Sequence, residues 1–437
     1  MHKAANNGIT KTLFVQLPLA MLVCISVACN KPAEQTVATS KPVPQTTITA
    51  LIWAPDWPEE MQRIADQFSQ ENPTIKVDVQ FMIGDSVEEN LKPKIAADHL
   101  PDIISINPNA YAARLADQGI LIDLGETTSW NNMLDSLKPD WTSSKRRYYG
   151  ISGGVAATLM YYNREMFAKA GISKPPGNFE EFLEVCERLK KAGFIPIMWN
   201  GGFPNMLGNG PFSFGFANNV VAKNPDWKNK IAHGMLDLNT PEVAEIFERI
   251  KLVADRGYVQ PSYMNTNYDD GIKLFTEGKT AMAFHGTWAA GLLMNGKGFT
   301  SGIFIPPWND ADQTVVPVIG NETGFAVCDT PNKQAALKFL DFMNGKGYAI
   351  QQNKRQNISP FKKTEGKIVS DPQILDYIAK VSQYPLTANP YYSSLPAETI
   401  EILHPLLLGV LFGKKTPQEA AYALDASVKD EAKKNNQ

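Results

Sequence analysis

The chain has 437 residues, 42 Lys and Arg against 45 Asp and Glu, and a formal net charge of −3. So slight an acidic excess excludes the electrostatic footprint of a nucleic-acid binder or of a protein held to an anionic membrane surface by charge. The length argues for two domains, at roughly 100–200 residues each.

The first segment reads as an address. Lys3 and Lys11 make a basic start, and Leu13 to Val27 is an apolar run too short, and too interrupted by Gln16 and Pro18, for a spanning helix. Ser26-Val27-Ala28-Cys29 resembles the lipobox of bacterial lipoproteins, with Ser26 in place of the usual Leu. That resemblance implies cleavage before Cys29 and lipidation of Cys29. An uncleaved anchor or an ordinary secretory signal fits the same residues, and each version puts the body outside the cytoplasmic membrane. From Asn30 to about Thr46 the chain is rich in Pro, Thr, Ser, Ala and Lys, with almost nothing to bury, which predicts a flexible tether. Beyond it, Cys186 and Cys328 both sit in apolar surroundings, where one disulfide and two buried thiols are equally open. No metal-ligand spacing links the cysteines, and no cofactor is implied.

The body opens with an α/β pattern. Thr47 to Trp53 reads as a buried strand, followed by a turn at Ala54-Pro55-Asp56 and a helix from about Pro58 with Met61, Ile64, Ala65 and Phe68 on one face. Ile75 to Phe81 alternates and predicts a half-buried strand near a sheet edge. A helix over Val87 to Ala97 and a strand over Asp102 to Ile106 complete βαβαβ, hence a parallel sheet with right-handed crossovers. In such a sheet the carboxyl ends of the strands share one rim, where ligands bind. Trp53, Asp56 and Trp57 follow the first strand, and Asn107, Asn109 and Tyr111 the third. Indole faces beside carboxylate and amide groups suit a polyhydroxylated ligand, whose C–H faces stack on aromatic rings and whose hydroxyls need donors and acceptors. A local turn held by Asp56 alone is the plainer alternative.

No GxGxxG or GxxxxGK[ST] follows these strands, which argues against a nucleotide fold. Gly150, Gly153 and Gly154 precede an apolar strand and read as a flexible crossing point. Asn178 with Glu181 predicts a capping box, opening a helix whose face carries Phe179, Phe182, Leu183, Cys186 and Leu189. A strand from Phe194 to Trp199 runs into Asn200 to Asn205, so aromatic and amide groups again follow a strand. Thr240-Pro241 starts a helix as cap and first residue, and Gly257 ends it.

The stretch Phe275 to Trp288 then has a Glu277-Gly278-Lys279 turn, a strand from Ala281 to Phe284, and His285, Gly286, Thr287 and Trp288 at its end. Trp288 either caps the core or offers a flat ring at the rim. Strands over Gly302 to Ile305 and Thr323 to Cys328 follow, then a helix begun by Thr330-Pro331. A last helix opens on the capping box Thr416-Pro417-Gln418-Glu419, with a charged tail from Lys429 expected to fray.

Together with the lipobox, the segments YGISGGVAATLMYYN, Phe275 to Trp288, PPWND and GNETGFAVCDTPNKQAALKFLDFM resemble family 1 extracellular solute-binding proteins, the carbohydrate-binding components of ABC importers, similar to maltose-binding protein. The resemblance implies an α/β, two-lobe periplasmic-binding-protein-like fold of type II with hinge crossings near Gly150, Val318 to Asn321, and Tyr384 to Pro390. The implied division is a signal peptide over 1–28, a lipidated Cys29 and tether over 29–46, and a first lobe from 47–150 and 318–385. The second lobe takes 151–317, and C-terminal helices over 386–437 belong mainly to it. In that family a Trp placed like Trp288 stacks on sugar. By position Asn107, His285, Phe203 with Asn205, Asn321 with Glu322, and Tyr391 with Tyr392 are further ligand candidates, and Trp199 is either ligand-facing or core. The implied partners are a small carbohydrate, the permease's transmembrane subunits and, through the lipid, the membrane, with the protein a monomer and no nucleic acid.

Other readings remain beside this one. A glycoside hydrolase needs two carboxylates about 5–9.5 Å apart, and Asp56 with Glu322 is the pair available. The chain shows no Ser-His-Asp arrangement built on a GxSxG elbow and no HExxH helix. A binding protein for a non-sugar solute shares every feature, although the candidate loops lack an Arg clamp for strongly anionic ligands. A binding subunit coupled to a sensor would also look the same.

Overall fold

The computed structural model describes residues 45–435, apart from 84–86, 204, 356 and 367–369. Cys29 and the leader fall outside the described residues. Four strands form the first sheet: β1 (Thr46–Ile52), β2 (Ile75–Phe81), β3 (Ile103–Ile106) and, far along the chain, Gly324–Val327. The order is β2, β1, β3, then the late strand, with β1 parallel to both neighbours and the late strand antiparallel to β3. The alternating β2 is at the edge, as its half-polar pattern requires. Helices Pro58–Glu71 and Lys333–Asn344 cover this sheet, and their Phe68 and Phe339 rings pack 5.0 Å apart.

The second sheet comprises β4 (Val155–Asn163), β5 (Ile195–Met198), β6 (Thr280–Gly286) and β7 (Ser301–Phe304), in the order β5, β6, β4, β7. A short β8 (Ile319–Asn321) pairs with the start of β4, and the late strand of the first sheet is β9. β4 is largely apolar because both faces are covered: Met160 and Tyr162 face one core cluster, Leu159 and Tyr161 another. Local chemistry starts the helices around it. Asn178 accepts from the Glu181 N–H, while Glu181 accepts from the Gly177 N–H, one residue earlier than a full capping box would have it. Thr240 caps Pro241–Asp255 through the Val243 N–H. Thr416 and Glu419 cap each other's backbone N–H reciprocally.

Several expectations change. Thr330 does not cap the helix after it; that helix begins at Lys333 behind Asn332, and Thr330 Oγ1 donates to Asp102. The charged tail stays helical to Asn435, with Lys429 bridging Asp425 and Asp237. Helix Pro372–Val381 buries Ile374, Tyr377 and Val381 against the second sheet, so residues 318–385 do not belong whole to the first lobe. Cys186 and Cys328 are both free and buried, one in each lobe's core.

Three chain segments lie side by side where the lobes join: Val155 to Ala157, Ile319 to Asn321 and Ala388. The crossing at Gly150 to Gly154 is tight rather than loose. A Cβ on Gly153 would stand 2.3 Å from the Thr323 carbonyl oxygen, so only glycine lets the two backbones touch. Asp140 fastens the junction: its carboxylate accepts from Asn321 Nδ2 at 2.9 Å, Asn389 Nδ2 at 3.2 Å and Lys228 Nζ at 2.8 Å.

Candidate functional site

Between the lobes lies a cleft that opens to solvent at its mouth. The rims of both sheets supply its walls. From the first lobe come Trp53, Asp56 and Trp57 after β1, and Asn107 after β3. These two loops are tied together, since Ser105 Oγ accepts from the Trp53 N–H at 2.9 Å. Asn107 is held at both ends of its amide, accepting from Thr323 Oγ1 at 2.7 Å and donating to Glu88 at 3.4 Å. The second lobe contributes Phe203 and Asn205 after β5, Trp288 after β6, and Tyr391 with Tyr392 from the last crossing. Trp288 folds back over its own strand end: a Cβ on Gly286 would stand 1.9 Å from the Trp288 ring, so glycine is required there.

Nine of the twelve residues expected at the site therefore line one cleft: Trp53, Asp56, Trp57, Asn107, Phe203, Asn205, Trp288, Glu322 and Tyr391. Three do not. Trp199 is core, packed edge-on to Tyr263 with its backbone bonded on both sides to Gln260. His285 is fully buried beneath the cleft wall, its ring 5.7 Å from Trp288 and 5.1 Å from Tyr268. Its Nδ1 accepts from the Gly286 N–H, and burial lowers its pKa from 6.5 to about 3, so it stays neutral. Asn321 belongs to the hinge, accepting from Trp141 Nε1 at 3.0 Å and donating to Asp140.

Among the polar lining residues that the sequence reading missed, two matter most. Tyr268, the first residue of helix Tyr268–Thr276, reaches the cleft from the second lobe. Arg355, the last residue of helix Lys346–Arg355, reaches it from the first, outside the candidate loops. Arg355 donates to Glu322 and, at 3.1 Å, to Gln351, and its guanidinium lies 5.0 Å over the Trp57 ring. Glu322 also accepts from Asn357 Nδ2 at 2.5 Å. Burial raises the Glu322 pKa, and Arg355 opposes that rise. Asp56 is raised for the same reason: it keeps part of its surface open to the cleft, but protein encloses its carboxyl, while Arg355 again acts the other way.

Beyond Tyr391 a second hollow, with Glu89, Glu401 and His404 in its walls, shares Asn205, Tyr391 and Ile400 with the cleft. Charged pairs join the lobes along this side, Lys92 with Glu401 and Arg114 with Glu431.

Two α/β lobes, crossing segments between them and an aromatic cleft at their facing rims define a bilobal solute-binding protein. The sequence profile of the family described as "Bacterial extracellular solute-binding protein" matches residues 54–350, and the chain belongs to that family. It is similar to the multiple sugar-binding protein of Streptococcus mutans serotype c, 22% identical over 320 residues, covering 72% of this chain and 74% of that one. It is also similar to the sn-glycerol-3-phosphate-binding periplasmic protein UgpB of Escherichia coli O1:K1 / APEC, 23% identical over 401 residues, covering 85% and 88%. Among solved structures, a chitin oligosaccharide binding protein superposes with a TM-score of 0.75 at 21% identity, covering 89% of this chain and 99% of that one. These are binding proteins rather than enzymes, and the family places the body outside the cytoplasm. Among the described residues no helix is long and apolar enough to cross a membrane.

Proposed function

We propose that the protein is the substrate-binding component of an ABC importer, that it encloses a mono- or oligosaccharide between its lobes, and that it delivers the sugar to the membrane permease. The observation that carries this reading is the cleft lining: Trp53, Trp57 and Trp288 come to it from both lobes, next to Asp56, Asn205 and Tyr268. Apolar faces with a few placed polar groups are what a sugar's C–H faces and hydroxyls require. The adjoining hollow beyond Tyr391 supports a ligand longer than one ring. With the lobes apart, ligand binds one rim; closure adds the contacts of the other, and the ligand favours the closed state by its differential affinity. The closed form is what the permease reads. Lipidation at Cys29 would keep a monomeric body near that permease.

The similarity to a glycerol-phosphate-binding protein, with Arg355 in the cleft, favours an anionic solute as the second reading. Against it, Arg355 is already paired with Glu322.

A thermal-shift screen of the purified protein against mono-, di- and oligosaccharides, with peptides, polyamines and glycerol 3-phosphate as controls, tests the proposal. A sugar at 100 times its dissociation constant stabilises the fold by about 2.7 kcal/mol. Trp288→Ala should weaken binding of that sugar more than tenfold and leave the ligand-free melting midpoint in place. Hits confined to the controls, or a sugar cleaved during incubation, would overturn the assignment.

A further inference from the structure

The cleft holds polar groups that the fold itself leaves incomplete. The Tyr268 ring is fixed edge-on between Phe203 at 5.3 Å and His285 at 5.1 Å, and the residue is 8% exposed, yet its hydroxyl has no hydrogen-bonding partner among the described residues. The Trp288 indole acts on that hydroxyl without reaching bonding geometry, and so does the charge of Asp56. Arg355 is 6% exposed and anchored through its two terminal nitrogens to Gln351 and Glu322, while its Nε has no partner. The hydrogen bond acting on the Asp56 carboxylate comes from its own backbone. A phenol that served only to pack would gain nothing from a buried, unbonded oxygen, since a buried polar group without a partner is destabilising.

We propose that Tyr268 is a ligand-reading residue, and that with Asp56 and Arg355 it forms one recognition set, drawn from both lobes, for adjacent hydroxyls of an uncharged sugar ring. The proposal rests on the carbohydrate reading and deepens it. Asp56 supplies an acceptor, Arg355 Nε a donor, and the Tyr268 hydroxyl one of each, which is the complement of a vicinal diol. Asp56 and Arg355 belong to the first lobe and Tyr268 to the second, so the set is complete only when the lobes are together. A hydroxyl pair held there links ring recognition to closure. A phosphate in the same place would meet the Asp56 carboxylate and an arginine already offset by Glu322, so phosphorylated ligands are rejected.

The test is a tryptophan-fluorescence titration of the purified protein with maltose, raffinose, N,N′-diacetylchitobiose and glycerol 3-phosphate, with Trp288 and Trp53 as reporters. It is run on the wild type, Tyr268→Phe, Asp56→Asn and the double variant, with ligand-free melting midpoints measured alongside. Each single variant is expected to weaken the neutral saccharide at least tenfold, and the double variant to lose less than the product of the two, because both groups hold one hydroxyl pair. Tyr268→Phe, which is nearly isosteric and removes a buried unbonded hydroxyl, should melt no lower than the wild type. Should it melt lower, a product-like loss in the double variant would still refute a shared set. Saccharide binding within twofold of wild type in Tyr268→Phe would overturn this inference and leave the carbohydrate reading standing. Binding of glycerol 3-phosphate with no neutral saccharide bound would overturn both.

Discussion

At the hinge, the Asp140 carboxylate takes hydrogen bonds from Asn321, Asn389 and Lys228, and the Trp141 indole completes Asn321. In the cleft, the Tyr268 hydroxyl and Arg355 Nε have no partner among the described residues. Both regions bury polar side chains between the same two lobes. The hinge side chains satisfy one another. In the cleft, Glu322 is paired with Arg355 and Asn357, while the Tyr268 hydroxyl and Arg355 Nε are buried and unbonded. Buried polar groups left unpaired cost stability.

The contrast can be broken at its strongest point by removing Arg355. Arg355→Ala leaves Glu322 buried, 5% exposed, with Asn357 as its remaining side-chain donor, and should lower unfolding stability by about 3–5 kcal/mol in a urea titration. Adding Glu322→Gln should recover part of that loss. A loss below about 1 kcal/mol would show that the pair is solvated.

A smaller effect, dependent on pH, comes from His285 beneath the cleft wall. Folded, it takes a proton only near pH 3, whereas the unfolded chain takes one near 6.5. Between those values the unfolded state binds more protons, so stability falls as pH falls, with a slope of about 1.4 kcal/mol per pH unit from this group. His285→Gln should flatten the acid side of the stability profile by about that slope. Parallel profiles for the two proteins would mean that the imidazole is reached by water.

The smallest effect is expected at the hinge's exposed edge. Lys228 is half-exposed, and its pair with Asp140 should contribute less than about 1 kcal/mol and fade with salt. Lys228→Ala should therefore leave the melting midpoint nearly unchanged at high ionic strength. A large, salt-independent loss would place the hinge's strength in the ion pair rather than in the amides of Asn321 and Asn389.

The site was legible where it follows strands. Trp53, Asp56 and Trp57 after β1, and Trp288 after β6, are at the rim because a strand's end fixes which edge its next residues reach. One or two positions were enough to mislead. Trp199 and His285 still lie on or against their strands, with side chains directed into the core, and Asn321 ends a strand that serves the hinge. Tyr268 and Arg355 escaped because they are helix-terminal residues: the cap Asn267 marks the start of the Tyr268 helix, but nothing in either helix says which cleft its end will meet.

Sequence by itself determined the strands, the caps at Asn178, Thr240 and Thr416, the parallel pairing of β1, β2 and β3, and the order of segments that marks the family. These depend on periodicity and on hydrogen bonds between residues a few positions apart. Tertiary structure alone decided that Glu322 would be consumed by Arg355, that Pro372–Val381 would join the second sheet, and that Asp56 and Tyr268 would face one space. Asp56 and Tyr268 are more than 200 residues apart in the chain, and which long-range neighbours meet is set by how two whole lobes pack, a quantity no local pattern encodes.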